Sequence, residues 1–311
     1  MSVNTGLSNL SDWSFTTATA IYIVAMVLSV VSSALARTAV PARAAVGASD
    51  GPIGLRERPQ RTTSDRLTRM SVALTLLGVL LHLASIATRG LATSRWPLGN
   101  MYEYVMFTTF VAVVVWLVLL TKFPVQRMTV WVLMPVTGLM VLAGKVFYAQ
   151  AAPVQPALQS YWLIIHVTTA SAATGALIAP GVASALYLIR RANERSGRFA
   201  TLAPKLPSAD LLDRVAYRIT IIGFPLYTFA VICGGIWAEA AWGRFWGWDP
   251  KEVCSFVAWV VYAAYLHARA TAGWSARRAA VINLIALGVL LFNLTFINLV
   301  VSGLHSYAGV D

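Results

Sequence analysis

Apolar positions along this chain run in long blocks, without the alternation of a strand or the one-sided stripe of a surface helix. Near 16–36, 70–88, 103–121, 128–147, 161–189, 215–237, 252–270 and 279–303, stretches of about 20 residues carry at most two charged side chains each. A helix rises about 1.5 Å per residue, so each block is long enough to cross the roughly 30 Å hydrocarbon layer of a bilayer. In lipid a spanning segment must satisfy its own backbone groups, and blocks of this kind do so as helices. The pattern predicts an all-α, polytopic transmembrane bundle of about eight spans. The first block follows a neutral Ser/Thr-rich stretch and continues into an arginine-rich segment with no small-residue cleavage motif, so it reads as a retained helix.

Composition agrees with this reading. Hydrophobic residues make up 58% of the 311 and charged ones 12%, about half the charged share of a soluble domain, which is near 25%. The net charge of +12 would suggest nucleic acid in a soluble protein, but its distribution gives another explanation. Nineteen of the 24 Lys and Arg residues fall in alternate inter-span segments, chiefly 37–69 and 190–218. The opposite set holds only Arg89, Arg95, Lys145, Arg244 and Lys251. Cytoplasmic loops collect positive charge, so both termini are expected outside the cytoplasm and nucleic acid is not an expected partner. The expected organisation is an extracytoplasmic N-terminus over 1–15, a first transmembrane helix over 16–36, a basic cytoplasmic loop over 37–69 and one transmembrane domain over 70–311.

Elaborated sequence is confined to the outer side: RGLATSRWPLGNMYE (89–103), AAPVQPALQSYW (151–162), IWAEAAWGRFWGWDPKE (236–252) and the tail GLHSYAGVD (303–311). Between 237 and 248 stand Trp237, Trp242, Trp246, Trp248 and Phe245, punctuated by Gly243 and Gly247. Two readings stand for this density. An aromatic belt at headgroup level is one; belts, however, are distributed among helices. A flat apolar platform that stacks a large planar ligand such as a porphyrin is the other. Asp249, Pro250 and Glu252 have the spacing of a helix start, with Asp at N-cap, Pro at N1 and Glu at N3.

Four histidines are available for chemistry. His166, about five residues into span five, and His305, just past span eight, lie at the level of the tryptophans and form a candidate pair of axial ligands to one haem iron. His267 lies about fifteen residues down span seven, near the cytoplasmic end, as a second haem or translocation point or as a group snorkelling to the inner interface. His82 is in the outer half of span two and reads as packing or as a support behind the ligands. Arg244 and Lys251 could pair with haem propionates or with lipid headgroups. Cys233 and Cys254 form neither a CxxC pair nor a zinc set and read as small buried hydrophobes.

At PLGNMYEYVMF (97–107), PALQSYWLIIHV (156–167), WAEAAWGRFWGWDPKEVCSFVAWVVYAAYLHAR (237–269) and INLVVSGLHSYAG (297–309) the sequence resembles the CcsA, or ResC-like, family of System II cytochrome c biogenesis. The third stretch looks like that family's WWD signature, here over 237–252. The resemblance covers roughly residues 70–310 and implies haem b as substrate and bound ligand, taken up on the cytoplasmic side and presented outside to apocytochrome c for thioether attachment. It implies His166 and His305 as ligands of the outer haem, with Trp237, Trp242, Trp246, Trp248 and Asp249 around it, and His267 as a ligand of an inner haem. A CcsB/ResB-type membrane partner would supply a further ligand, a thiol-reducing protein would keep the apocytochrome reactive, and the chain would be one subunit of a holocytochrome c synthase in a bacterial cell membrane. Phe245 stands where some relatives have Trp, and the first 69 residues show no likeness. The alternative class is a haem-binding electron-transfer subunit of cytochrome b type, which expects histidine pairs on shared helices.

Overall fold

The computed structural model describes residues 3–35, 62–153, 159–301 and 303–305. The described residues form helices α1 (Thr5–Leu35), α2 (Thr63–Thr93), α3 (Met101–Lys122), α4 (Thr129–Lys145), α5 (Tyr161–Ser196), α6 (Ala209–Trp242), α7 (Pro250–Ala270), α8 (Ala276–Leu294) and the short α9 (Phe296–Val300). Eight spans are long and apolar enough to cross a membrane, α8 and α9 together making the last. The protein is thus a multi-pass helical membrane protein.

Several helices outrun the apolar blocks that announced them. α1 begins at Thr5, where an extramembrane N-terminus was expected through residue 15, and α2 begins at Thr63, inside the expected 37–69 loop. The rest of that loop, through residue 61, lies outside the described residues. Hydropathy marks only the part of a helix that sits in hydrocarbon; the backbone ladder continues until a cap ends it. Here those ends are Thr62, whose hydroxyl and Asp65 form a capping box, Ser94 with a left-handed backbone, and Gly197 and Gly243, both left-handed at φ 67° and 69°. At 31 residues α1 and α2 are each about 46 Å long at 1.5 Å per residue, so their ends project beyond the apolar layer.

α1 and α2 form an antiparallel hairpin, pinned at one end where Asn4 N–H donates to Ala92 O and at the other where Ser32 meets Ser64 and Thr68. α5 is the most buried span and packs on α3, α6 and α8. Small residues set these approaches, as expected between helices in lipid: a Cβ on Gly223 of α6 would meet the Leu177 side chain at 2.9 Å, and one on Gly175 would collide with the α3 backbone. Both described chain ends fall on one face of the bundle. The N-terminal end of α1 lies by the C-terminal end of α2, and the 303–305 turn folds onto Asp249 at the start of α7. The same face holds a buried ion cluster. Glu103, with no exposed surface, accepts from Arg89 Nε at 3.1 Å, both Arg95 terminal nitrogens at 2.7 and 2.9 Å and Gly99 N–H at 2.7 Å, while Asp12 takes Arg89 and the Tyr148 hydroxyl.

Candidate functional site

Asp249 starts α7 as the sequence spacing predicts. Its carboxylate caps Lys251 N–H at 3.1 Å, and Glu252 closes the reciprocal capping box through Asp249 N–H at 3.0 Å. Glu252 does more than cap. It also accepts from Gly247 N–H at 2.9 Å and holds Arg244 at 3.1 Å, so one carboxylate gathers the 243–248 connection between α6 and α7. Trp248 takes a left-handed backbone at φ 61° within that connection.

The other function of Asp249 was not visible in the sequence. Its Oδ2 accepts from Leu304 N–H at 2.8 Å and its Oδ1 lies 2.9 Å from His305 Nδ1, so the residue hooks the chain's tail onto α7. A Cβ on Gly303 would sit 2.6 Å from the same Oδ2, which leaves glycine as the residue that fits. Burial works against the carboxylate charge, but the hydrogen bond from His305 and those from the two backbone amides prevail and hold Asp249 down at about 2. Burial likewise pulls His305 below the ordinary imidazole value, opposed by the Asp249 contact, so the ring favours its neutral form at neutral pH.

His166 is positioned differently. One face of α6 presents Ala230 and, a turn later, Gly234: the His166 Nδ1 lies 2.8 Å from Ala230 O, and a Cβ on Gly234 would stand only 2.8 Å from the ring's Cε1. The imidazole therefore lies in a groove that a bare backbone position makes. It stacks parallel to Trp237 at 6.1 Å between ring centres and 7° between planes. His305 lies the same 6.1 Å from Trp237, inclined at 60°, and meets Trp242 edge-on at 5.1 Å.

Both histidines line two clefts. The larger is walled by Tyr104, Tyr227, Trp242, Phe245 and Trp246; the smaller by Leu98, Asn100, Leu163 and Trp237. A Nδ1–H bonded to a carbonyl or carboxylate leaves Nε2 with its lone pair for a metal, and such partners orient ligating imidazoles. Two imidazoles held this way beside an aromatic cleft fit an iron porphyrin. Among the described residues no group of three or more His, Cys, Asp or Glu side chains is arranged to hold a bare metal ion.

The remaining sequence candidates separate. Trp237 is buried and belongs to the smaller cleft, Trp242 and Trp246 to the larger. Trp248 is 68% exposed, meets Trp246 edge-on and does not line either cleft among the described residues. His267 is an exposed residue of the last turn of α7, at the end opposite Asp249, so it lies apart from the outer pair. His82 is fully buried among Phe15, Tyr22 and Phe110. Cys233 and Cys254 are free thiols, Cys233 buried and Cys254 partly so. The four histidines thus stand on four different elements, unlike the paired arrangement of a cytochrome b type subunit.

Fold and site together define a multi-pass membrane protein with an aromatic, doubly histidine-bearing cleft at one end of its bundle. The sequence pattern of the family described as cytochrome c assembly protein matches residues 98–305, from the wall of the smaller cleft to His305. The chain belongs to that family, whose work in cytochrome c biogenesis entails haem handling. The cytochrome c biogenesis protein CcsA of Chlamydomonas reinhardtii is 34% identical over 78% of this chain and 69% of its own length. That of Synechococcus elongatus is 33% identical over 72% and 82%. Among solved structures the cytochrome c heme lyase CcmF shares the fold at a TM-score of 0.64 with 16% identity, covering 94% of this chain and 47% of CcmF. This chain therefore spans about half the length of CcmF.

Proposed function

We propose that this protein moves haem b across the membrane and presents it at the extracytoplasmic face to apocytochrome c, as one subunit of a System II cytochrome c synthase. The observation that carries the reading is that His166 and His305 line the same aromatic cleft, each with Nδ1 engaged by a protein acceptor. In this reading Nε2 of each would ligate the iron of the outer haem, Trp237, Trp242 and Trp246 would give it apolar surroundings, and Asp249 would hold His305 in the ligating tautomer. The 237–252 stretch is the WWD segment that the resemblance to the CcsA family suggests.

The Lys and Arg asymmetry supports an orientation with the cleft outside the cytoplasm and the far end of α7 inside. His267 at that end is then a ligand of the incoming haem, with a second ligand from a CcsB/ResB-type partner, and the site of action is a bacterial cell membrane. Attachment adds each thiol S–H of a CxxCH motif across a haem vinyl group. The step consumes reduced thiols, which a thiol-reducing protein would maintain, and otherwise requires proximity and orientation.

The test is purification with and without the membrane partner, followed by absorption spectra. His166→Ala and His305→Ala are expected to weaken the outer haem signal and His267→Ala the inner one. If all three variants keep the wild-type haem spectrum and still mature cytochrome c, the assignment is wrong.

A further inference from the structure

Four residues line both clefts: Tyr104, His166, His305 and Lys251. Lys251 is a cation at the junction of two largely apolar spaces, one residue inside the start of α7. Its ammonium donates to Asn298 Oδ1, and Asn298 is itself fixed, its amide nitrogen donating to Asn293 O at 3.0 Å and Leu294 O at 2.8 Å. The amide oxygen is thereby turned toward the lysine. Among the described residues no carboxylate forms an ion pair with Lys251. An ammonium has three donors, so two remain for what enters the clefts. A half-buried cation with donors turned to a largely apolar cleft is suited to an entering anion.

Arg244, the other basic residue of this face, is committed elsewhere. Its guanidinium is 3.1 Å from Glu252 Oε1, lies over Trp242 at 5.5 Å, and lines neither cleft. Withdrawing it would release the carboxylate that gathers the 243–248 connection.

We infer that Lys251, held by Asn298 beside His166 and His305, is the residue that binds a carboxylate of the porphyrin, and that Arg244 is a structural clamp. The inference rests on the haem reading above and adds to it the group that fixes which edge of the macrocycle points inward. A single charge-assisted contact in a partly desolvated site contributes about tenfold to a hundredfold in affinity.

Haem and haem dimethyl ester, whose carboxylates are masked, separate these claims when titrated by absorbance into the detergent-purified full chain. Wild type is expected to bind haem about tenfold to a hundredfold more tightly than the ester, a comparison independent of any variant's folding. Lys251→Met is expected to erase that preference while leaving ester affinity within about twofold, and Lys251→Arg to restore part of it. Equal affinity of wild type for haem and ester, or equal weakening of both by Lys251→Met, would overturn the role of Lys251 while leaving the haem site standing. Failure of wild type to bind either porphyrin would refute the site and this inference together.

Discussion

Gly234→Ala tests how the outer site is built. The new methyl would stand 2.8 Å from His166 Cε1 and 2.9 Å from Nδ1, where ordinary contact begins at 3.4 Å. The imidazole must therefore retreat by about 0.6 Å, the kind of overpacking that costs about 1–3 kcal/mol. Retreat also stretches the 2.8 Å contact of Nδ1 with Ala230 O, a hydrogen bond contributing about 0.5–1.5 kcal/mol. Against this, replacing a mid-helix glycine by alanine favours the helix by up to about 1 kcal/mol. The sum leaves the fold destabilised by no more than a few kcal/mol but displaces the imidazole proposed as an iron ligand, whose position must be right to about 0.5 Å. Gly288→Ala on α8 is the control, because nothing lies within 4 Å of a Cβ there; it carries the same propensity gain without the collision. Haem titration and thermal unfolding in detergent are expected to show weakened haem binding for Gly234→Ala alone, with Gly288→Ala at least as stable as wild type. Wild-type haem affinity and spectrum in Gly234→Ala would refute the reasoning.

Three further outcomes follow from the same geometry. Asp249→Asn keeps a good N-cap but turns one accepting oxygen into an NH2 donor facing Leu304 N–H or His305, so a loss of about 1–3 kcal/mol and a shifted absorption spectrum are expected; an unchanged spectrum would show that the carboxylate does not act through the imidazole. Glu103→Ala leaves Arg89 buried without its main partner and is expected to cost about 3–5 kcal/mol, read as a large fall in Tm; a variant of near-wild-type Tm would mean the cluster is solvated. His82→Leu removes a buried ring whose nitrogens have no hydrogen bond of ordinary geometry among the described residues, and replacement by an apolar group is expected to be neutral or stabilising; loss of cytochrome c maturation at normal Tm would give His82 a functional role.

The span count, the helical class and the start of α7 were legible because each depends on local chemistry. A block of about 20 apolar residues can satisfy its backbone in lipid only as a helix, and Asp249, Pro250 and Glu252 form a cap wherever the chain places them. The candidate pair His166 and His305 could be placed at one depth by counting residues from the span ends, since helical rise is fixed. Helix ends were less legible: α1, α5 and α6 run past their apolar blocks, because caps rather than hydropathy end a helix.

Tertiary structure decided what one-dimensional spacing cannot carry. Residues 139 apart in sequence, His166 and His305, share a cleft only because α5 packs on α6 through Gly234 and the tail folds onto Asp249. Trp248 and Trp246 are two residues apart, yet one turns outward and the other into the cleft wall, a matter of a left-handed backbone at φ 61°. Arg244 and Lys251 look alike as basic residues of one loop, and only the position of Glu252 commits the first and leaves the second facing the cleft. Hydropathy and capping act over a few residues and are written in the chain; the partner of a carboxylate or an imidazole is chosen by packing across helices, where sequence distance carries no information.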